Sequence, residues 1–364
     1  MRPSDLKQTD RADPDRFLNF GTPGSQEWWY FDAISDDGRD TLVIVWYAGL
    51  PFDPAYGVAA LKHHRAPHQH KPPHPLDHCA IGLHWYHDGK LAAYALNAYR
   101  RTQFQYSADP FRVQVAGNCL VRQPEGTYRL EIETPAVDGR RTLHVQLSFS
   151  PAPGTQPLER DLGHGAPHLW ILAAPDCRVQ GTVTLGSGSA ARSLEFQGRG
   201  YHDHNAGAEE ISLAMSRWHW GRVHVGDTTH VYYHARTRQE TSQTLWITLK
   251  NGATESIREQ PYFLEQPGKP NIFGLRSDLS LAFNEQPSHL PGPLLMRIPG
   301  TCVDDGPFYR RWLSTFLLGQ GPFDAGPSTV SHRVTGISEL LDTKRLNSPL
   351  FNWMIPFRLK RPRS

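Results

Sequence analysis

Two short patterns in this chain, His168-x-Trp170 and Tyr201-x-Asp203, combine residue types that can do acid chemistry with a spacing that keeps each pair on one face of a strand. Together they would supply an imidazole, an indole, a phenol and a carboxyl group. A partly desolvated carboxyl keeps its proton to higher pH and can deliver it to an apolar substrate. Aromatic faces stabilise a developing carbocation, by about 2 kcal/mol or more where water is excluded. The imidazole could orient the acid or activate water. A structural reading of the same residues stays open: Asp203 and Asn205 capping turn amides, His168 satisfying a backbone group, Trp170 packing in a core.

Asp203 lies in Gly200-Tyr201-His202-Asp203-His204-Asn205-Ala206-Gly207, where glycines bracket a dense set of polar side chains. The flanking runs, Ser193 to Gln197 and Trp218 to Tyr233, have strand texture, so Asp203 is expected where strands end or bend. His202, His204 and Asn205 become candidate substrate-side neighbours of the acid. Trp218-His219-Trp220-Gly221-Arg222 places two indoles on one strand face, a candidate cavity wall, and Glu27-Trp28-Trp29-Tyr30-Phe31-Asp32 adds Trp29 as a further candidate contact.

The elements that position these residues read as mainly β. Strand-like runs cover Glu27 to Ala33, Thr41 to Tyr47, Cys79 to Tyr86, Leu91 to Tyr99, Arg112 to Val115, Tyr128 to Glu133 and Leu143 to Phe149. Asp36-Asp37-Gly38, His87-Asp88-Gly89 and Val137-Asp138-Gly139 place hairpin signals between such runs and predict antiparallel pairing. Helical periodicity is scarce, with Arg310 to Leu318 and Ser338 to Leu346 its best candidates, and Ile355 to Arg358 reads as a last strand. The Pro- and His-rich stretch from His63 to His78 reads as a long surface loop, and Gln266 to Pro270 as a turn.

Composition narrows the function classes. A chain of 364 residues is long enough for two domains or one large β architecture. With 38 basic and 36 acidic residues the net charge is +2, which excludes nucleic acid as an electrostatically captured partner. Cys79, Cys119, Cys177 and Cys302 have no paired ligand spacing, so reduced thiols are expected and no metal site. No glycine-rich phosphate loop or Gly-x-Ser-x-Gly elbow occurs in a suitable setting, so no nucleotide cofactor is expected. No apolar run is long enough to span a bilayer, and the start lacks a secretory h-region, which predicts a cytoplasmic protein. Its basic end, Arg358 to Arg363, could touch an acidic membrane surface or fray into solvent.

The order of these motifs resembles the carotenoid 1,2-hydratase (hydroxyneurosporene synthase) family, which adjoins the AttH-like, lipocalin-like proteins. Glu27 to Ala33 followed by Ser35 to Gly38, Asp77 to Ala80, Gly200 to Asn205 and Trp218 to Arg222 carry the resemblance, over roughly Phe20 to Arg358. It implies two lipocalin-like antiparallel β-barrel or sandwich domains, 19–196 and 197–358, between a flexible leader at 1–18 and a basic tail at 359–364. It also implies a hydro-lyase that adds water across a terminal isoprenoid C=C bond without a cofactor. By this resemblance Asp203 protonates the alkene, Trp170 and Tyr201 stabilise the tertiary cation, and His168 assists water attack. A hydrophobic carotenoid or related isoprenoid is then the partner, with peripheral contact at the inner membrane where such a polyene resides. Two other readings keep the same cavity: a cofactor-independent cyclase or isomerase, and a lipocalin-like carrier in which Asp203 is structural.

Overall fold

The Asp-Gly pairs make the hairpin turns predicted for them; of the strands they join, Tyr128–Pro135 alternates buried and exposed side chains, whereas Gln26–Ser35 and Asp40–Ala48 are buried on both faces almost throughout. At Asp88-Gly89 both residues have positive φ, 49° and 71°, the combination that matches a two-residue turn to strand twist. The computed structural model describes residues 7–8, 13–163, 166–287, 290, 292–322, 330–352 and 354–361, with backbone only for Lys7, Gln8, Ser189 and Pro356. The chain divides into two units, 1–214 with 346–364, and 215–345. Each is built on one antiparallel, barrel-like sheet, the lipocalin-like, mainly β architecture expected.

In the first unit the strands are β1 (Lys7–Gln8), β2 (Gln26–Ser35), β3 (Asp40–Ala48), β4 (Cys79–His87), β5 (Lys90–Tyr99), β6 (Phe104–Ala108), β7 (Phe111–Val115), β8 (Asn118–Arg122), β9 (Tyr128–Pro135), β10 (Thr142–Pro151), β11 (Leu158–Asp161), β12 (His168–Leu185) and β13 (Arg192–Gly207). The hydrogen-bonded order is β5-β4-β3-β2-β13-β12-β10-β9-β8-β7-β6, with β11 joining β12 to β1. The sheet curls until Asn97 of β5 donates to Thr134 and Pro135 of β9, at 2.8 Å each. Trp29, Phe31, Trp46, Trp85, Phe149 and their neighbours fill the concave side.

The second unit comprises β14 (Met215–Val225), β15 (Thr228–Thr237), β16 (Ser242–Lys250), β17 (Ala253–Glu259), β18 (Tyr262–Pro270), β19 (Arg276–Asn284), β20 (Gly292–Asp305), β21 (Tyr309–Gly321) and β22 (Val330–Asp342). Their order is β17-β16-β15-β14-β22-β21-β20-β19-β18. Val223, Tyr232, Trp246, Phe283 and Phe316 are in its core.

Several expectations are corrected. The boundary at 196/197 would cut β13, which pairs along its length with β12 and β2; the chain passes to the second unit after Ala214. The helical candidate Arg310 to Leu318 is strand, because Trp312, Ser314, Phe316 and Leu318 alternate inward. Ser338 to Leu346 is strand as far as Asp342, with Ser338 to Leu341 buried between two neighbours, before a helical turn at Thr343–Arg345. Ile355–Arg358 is a helical turn. Gln266 to Pro270 lies in β18, where its prolines coincide with register shifts. A helix, α1 (Pro54–Arg65), occupies the start of the expected loop: Asp53 caps it through a 3.0 Å bond from the Ala55 amide, and Pro54 begins it.

Described residues toward both ends of the chain are also held by specific contacts. Asp15 is fully buried, so the expected flexible leader is fixed from at least Asp13 onward. Arg361 donates to Asp53 at 2.6 Å, and Lys360 exchanges backbone bonds with β5. Pro362 and Arg363 of the basic cluster lie outside the described residues.

Candidate active site

Asp203 sits near the C-terminal end of β13, opposite a register shift in β12 between Ile171 and Ala174, and the pleat of its strand separates the polar residues around it. Tyr201, Asp203, Asn205 and Gly207 share one face, while His202, His204 and Ala206 share the other. On the Asp203 face, β2 places Asp32, Tyr30, Trp28 and Gln26 opposite Tyr201, Asp203, Asn205 and Gly207 in turn. From the other side β12 places Trp170 opposite Asn205 and His168 opposite Gly207. Register alone therefore gathers both two-residue patterns onto one surface.

Side chains complete the cluster. The Trp170 Nε1–H and the Tyr201 hydroxyl both donate to Asp203 Oδ2, at 2.9 and 2.8 Å, and Asn205 Nδ2 donates to Oδ1 at 2.9 Å. Asp203 is 5% exposed, so these neutral donors rather than bulk water set the environment of its carboxyl group. Tyr30 meets Tyr201 edge-on at 6.2 Å between ring centres. His168 is buried beside Trp28, its ring 6.0 Å away, and neither ring nitrogen makes a hydrogen bond to a described residue. Burial pulls the His168 imidazole down to about 4, so it is neutral at neutral pH and available as a proton acceptor. Its strand start is fixed by Asp161, whose Oδ1 accepts from the His168 amide at 3.0 Å.

His202, His204 and Trp29, expected as substrate contacts, point away from Asp203. Alternation sends them into the first unit's interior. His202 stacks on Phe31 at 3.8 Å and bonds Asp15 Oδ1 at 2.8 Å; His204 stacks on Trp29 at 4.9 Å and bonds Glu27 Oε1 at 2.8 Å. Trp29 Nε1 donates to the Asp15 carbonyl at 3.1 Å. Burial alone would raise the Asp15 carboxyl, but His202 and Arg122 hold it below its ordinary value, and Tyr128 donates to it at 2.7 Å. Burial alone would lower His204, yet the bond to Glu27 lifts it above its ordinary value. This interior set ties the chain entry, 13–19, to the barrel wall. Sequence spacing missed it because Asp15 lies 187 residues from His202.

Trp218 and Trp220 lie in the second unit, on the face of β14 opposite His219. Both are buried, with Trp218 6.5 Å from Tyr233. Also in that unit, ligand atoms of His219, Glu265 and Asp278 lie within 4.8 Å of one another, an arrangement that could hold a metal ion. Arg236 bonds Glu265 at 2.5 Å and Arg217 approaches Asp278 at 3.3 Å, so positive charge is already supplied there. Burial and the adjacent Glu265 carboxyl push Asp278 up to about 8, and burial holds His219 well below its ordinary value. A depression of about 480 Å³ on the first unit, lined by Arg129, Glu131, Gln146 and Gln180, is too polar to suit an apolar chain.

Comparison with known proteins agrees with the motif order. A sequence model described as carotenoid hydratase CrtC matches residues 47–269. The chain is 27% identical over 348 residues to a protein of Chlorobaculum tepidum described as hydroxyneurosporene dehydrogenase, covering 93% of this chain and 88% of that one. It is likewise 27% identical over 360 residues to the acyclic carotenoid 1,2-hydratase of Thiocapsa roseopersicina, covering 96% and 77%. The solved structure of an AttH-like protein from Nitrosomonas europaea superposes with a TM-score of 0.59 at 13% identity, covering 94% of this chain and 98% of that one, a likeness of fold.

Proposed function

The chain belongs to the carotenoid hydratase family, and from that premise we propose that it is a hydro-lyase adding water to a terminal C=C bond of an acyclic carotenoid or related isoprenoid. The observation that carries the chemistry is the buried Asp203 carboxyl, held by Trp170, Tyr201 and Asn205 on a face that also bears the neutral His168.

In this reading Asp203 gives its proton to the less substituted alkene carbon and leaves a tertiary cation on the other. Oδ2 accepts from two donors and Oδ1 from Asn205, so this reading puts the transferable proton on Oδ1, where fewer of these donors compete with it. Once the proton has left, the same donors stabilise the carboxylate that forms, which lowers the barrier to its departure. The faces of Trp170, Tyr201, Trp28 and Tyr30 attract the cation. Water then forms the C–O bond and passes a proton to His168, whose neutral ring can take it. The net change is alkene plus water to tertiary alcohol, with no electron transfer and no redox cofactor required.

No described helix is long and apolar enough to cross a membrane. An acyclic polyene resides in lipid, so the proposal places this protein at a membrane surface when it loads substrate. Incubation with lycopene, neurosporene and shorter acyclic terpenes in ¹⁸O-labelled water tests the reaction. Products heavier by one labelled water support hydration, isomeric products select a cyclase or isomerase, and tight binding with no product selects a carrier.

A further inference from the structure

Gln26 and His168 flank Gly207 from opposite sides, through the β2 and β12 pairings of β13. Because Gly207 has no side chain, both neighbours lean over its Cα: a methyl carbon placed there would lie 2.3 Å from Gln26 Nε2 and 2.9 Å from His168 Nδ1. The two nitrogens are therefore no further apart than those distances laid end to end. Even at that upper bound, two hydrogen-bond arms of about 2.9 Å are long enough for one water molecule to reach both nitrogens.

Neither nitrogen makes a hydrogen bond to a described residue, although Gln26 is 2% and His168 1% exposed. An unsatisfied buried polar atom costs about 1–3 kcal/mol, so two of them at one point call for a shared polar occupant. Their chemistry is complementary for water: the amide can only donate from Nε2, and a neutral imidazole can accept. We infer that Gln26 Nε2 and His168 Nδ1 hold the water molecule that is added to the alkene, which makes Gln26 a residue of the hydration step. The inference rests on the hydratase reading of the same face.

The step balances. A lone pair of this water forms the C–O bond to the cation, one O–H bond breaks, and its proton passes to His168 Nδ1. The Gln26 N–H keeps the oxygen in place and is unchanged. The low basicity of His168 keeps the ring neutral before the step and lets it release the proton afterwards, toward the Asp203 carboxylate or solvent. Gly207 is then the position that gives both groups their shared space.

The experiment compares wild type with Gln26→Leu, the near-isosteric Gln26→Met and Gly207→Ala, in D₂O, after each is shown to fold by circular dichroism. Hydration is expected to fall about tenfold or more in each, while deuterium still enters the recovered alkene, because Asp203 still protonates it and the cation reverts. Hydration within about twofold of wild type in folded Gln26→Leu or Gln26→Met would overturn the inference, as would equal loss of hydration and exchange. A crystal structure gives a readout independent of turnover. Expected is a water within 3.2 Å or so of both nitrogens, displaced in Gly207→Ala; protein atoms bonded there instead would overturn the site. A wild type that neither hydrates nor exchanges any alkene removes the hydratase reading, and with it the catalytic role of this water, whatever the crystal shows.

Discussion

The Trp170 indole donates to Asp203 Oδ2 at 2.9 Å, so the aromatic group best placed to meet a cation is also fastened to the acid that would create it. In the proposed mechanism one side chain serves two steps. Trp170→Phe keeps an aromatic face and removes only the donor. Since a neutral hydrogen bond contributes about 0.5–1.5 kcal/mol, kcat should fall roughly three- to tenfold, whereas Trp170→Leu, which also removes the ring, should lose considerably more. Steady-state kinetics of the two variants separates the roles; equal effects would deny the indole N–H a part.

Asp203→Asn should abolish turnover while leaving substrate affinity within about threefold. The replacement also turns one carboxyl oxygen into a donor that faces another donor, Trp170 and Tyr201 on one side or Asn205 on the other. A stability loss of about 1–3 kcal/mol is expected, measured by urea unfolding. Retained turnover would remove Asp203 from the chemistry.

Acid should weaken the fold partly through His168. Burial lowers its imidazole from 6.5 to about 4, so between those values the unfolded chain takes a proton that the folded state resists. The contribution is whole above pH 6.5 and is lost as pH falls toward 4. His168→Gln removes it, so the stability difference between wild type and variant should shift by something on the order of 3 kcal/mol between pH 7 and pH 4, against the wild type. Urea unfolding at both pH values measures this; a difference independent of pH would contradict it. His204 has the opposite sign, since Glu27 raises it, and cancels in the comparison.

His202 should matter for stability and not for chemistry. His202→Leu leaves Asp15 buried without its imidazole, and breaking a buried pair in this way costs about 3–5 kcal/mol. The folded fraction should retain kcat, because His202 faces the interior and Asp203 the other side of β13. A kcat loss greater than about tenfold in folded protein would return His202 to the substrate side.

The sequence revealed this site as far as alternation could carry it. His168 with Trp170 and Tyr201 with Asp203 were legible as pairs because a strand repeats every two residues, and the Asp-Gly turns predicted their antiparallel setting. The same period also sends His202 and His204 inward, yet proximity in sequence to Asp203 outweighed it; Trp29 stands out through its aromatic run, whose own alternation likewise turns it inward. Gln26 left no local signal, since its meaning depends on register with Gly207 and His168. Asp15 is recognisable only once the barrel brings it to His202. In β21 and β22, long-range pairing prevailed over a stretch whose mixed periodicity also admits a helix. The helix α1 did carry its signal, an Asp cap followed by proline, upstream of the His63 to His78 stretch whose prolines and histidines suggested a loop and whose first residues the helix takes up.

Oxygen-18 incorporation by wild type and Asp203→Asn, side by side on an acyclic carotenoid with a terminal C=C bond, tests the central claim most directly. Expected is one labelled oxygen at the tertiary carbon of the wild-type product, and no labelled product from a folded Asp203→Asn that still binds the polyene. Equal labelling by the two proteins, or none by the wild type across the panel of acyclic isoprenoids, would contradict acid-catalysed hydration at Asp203.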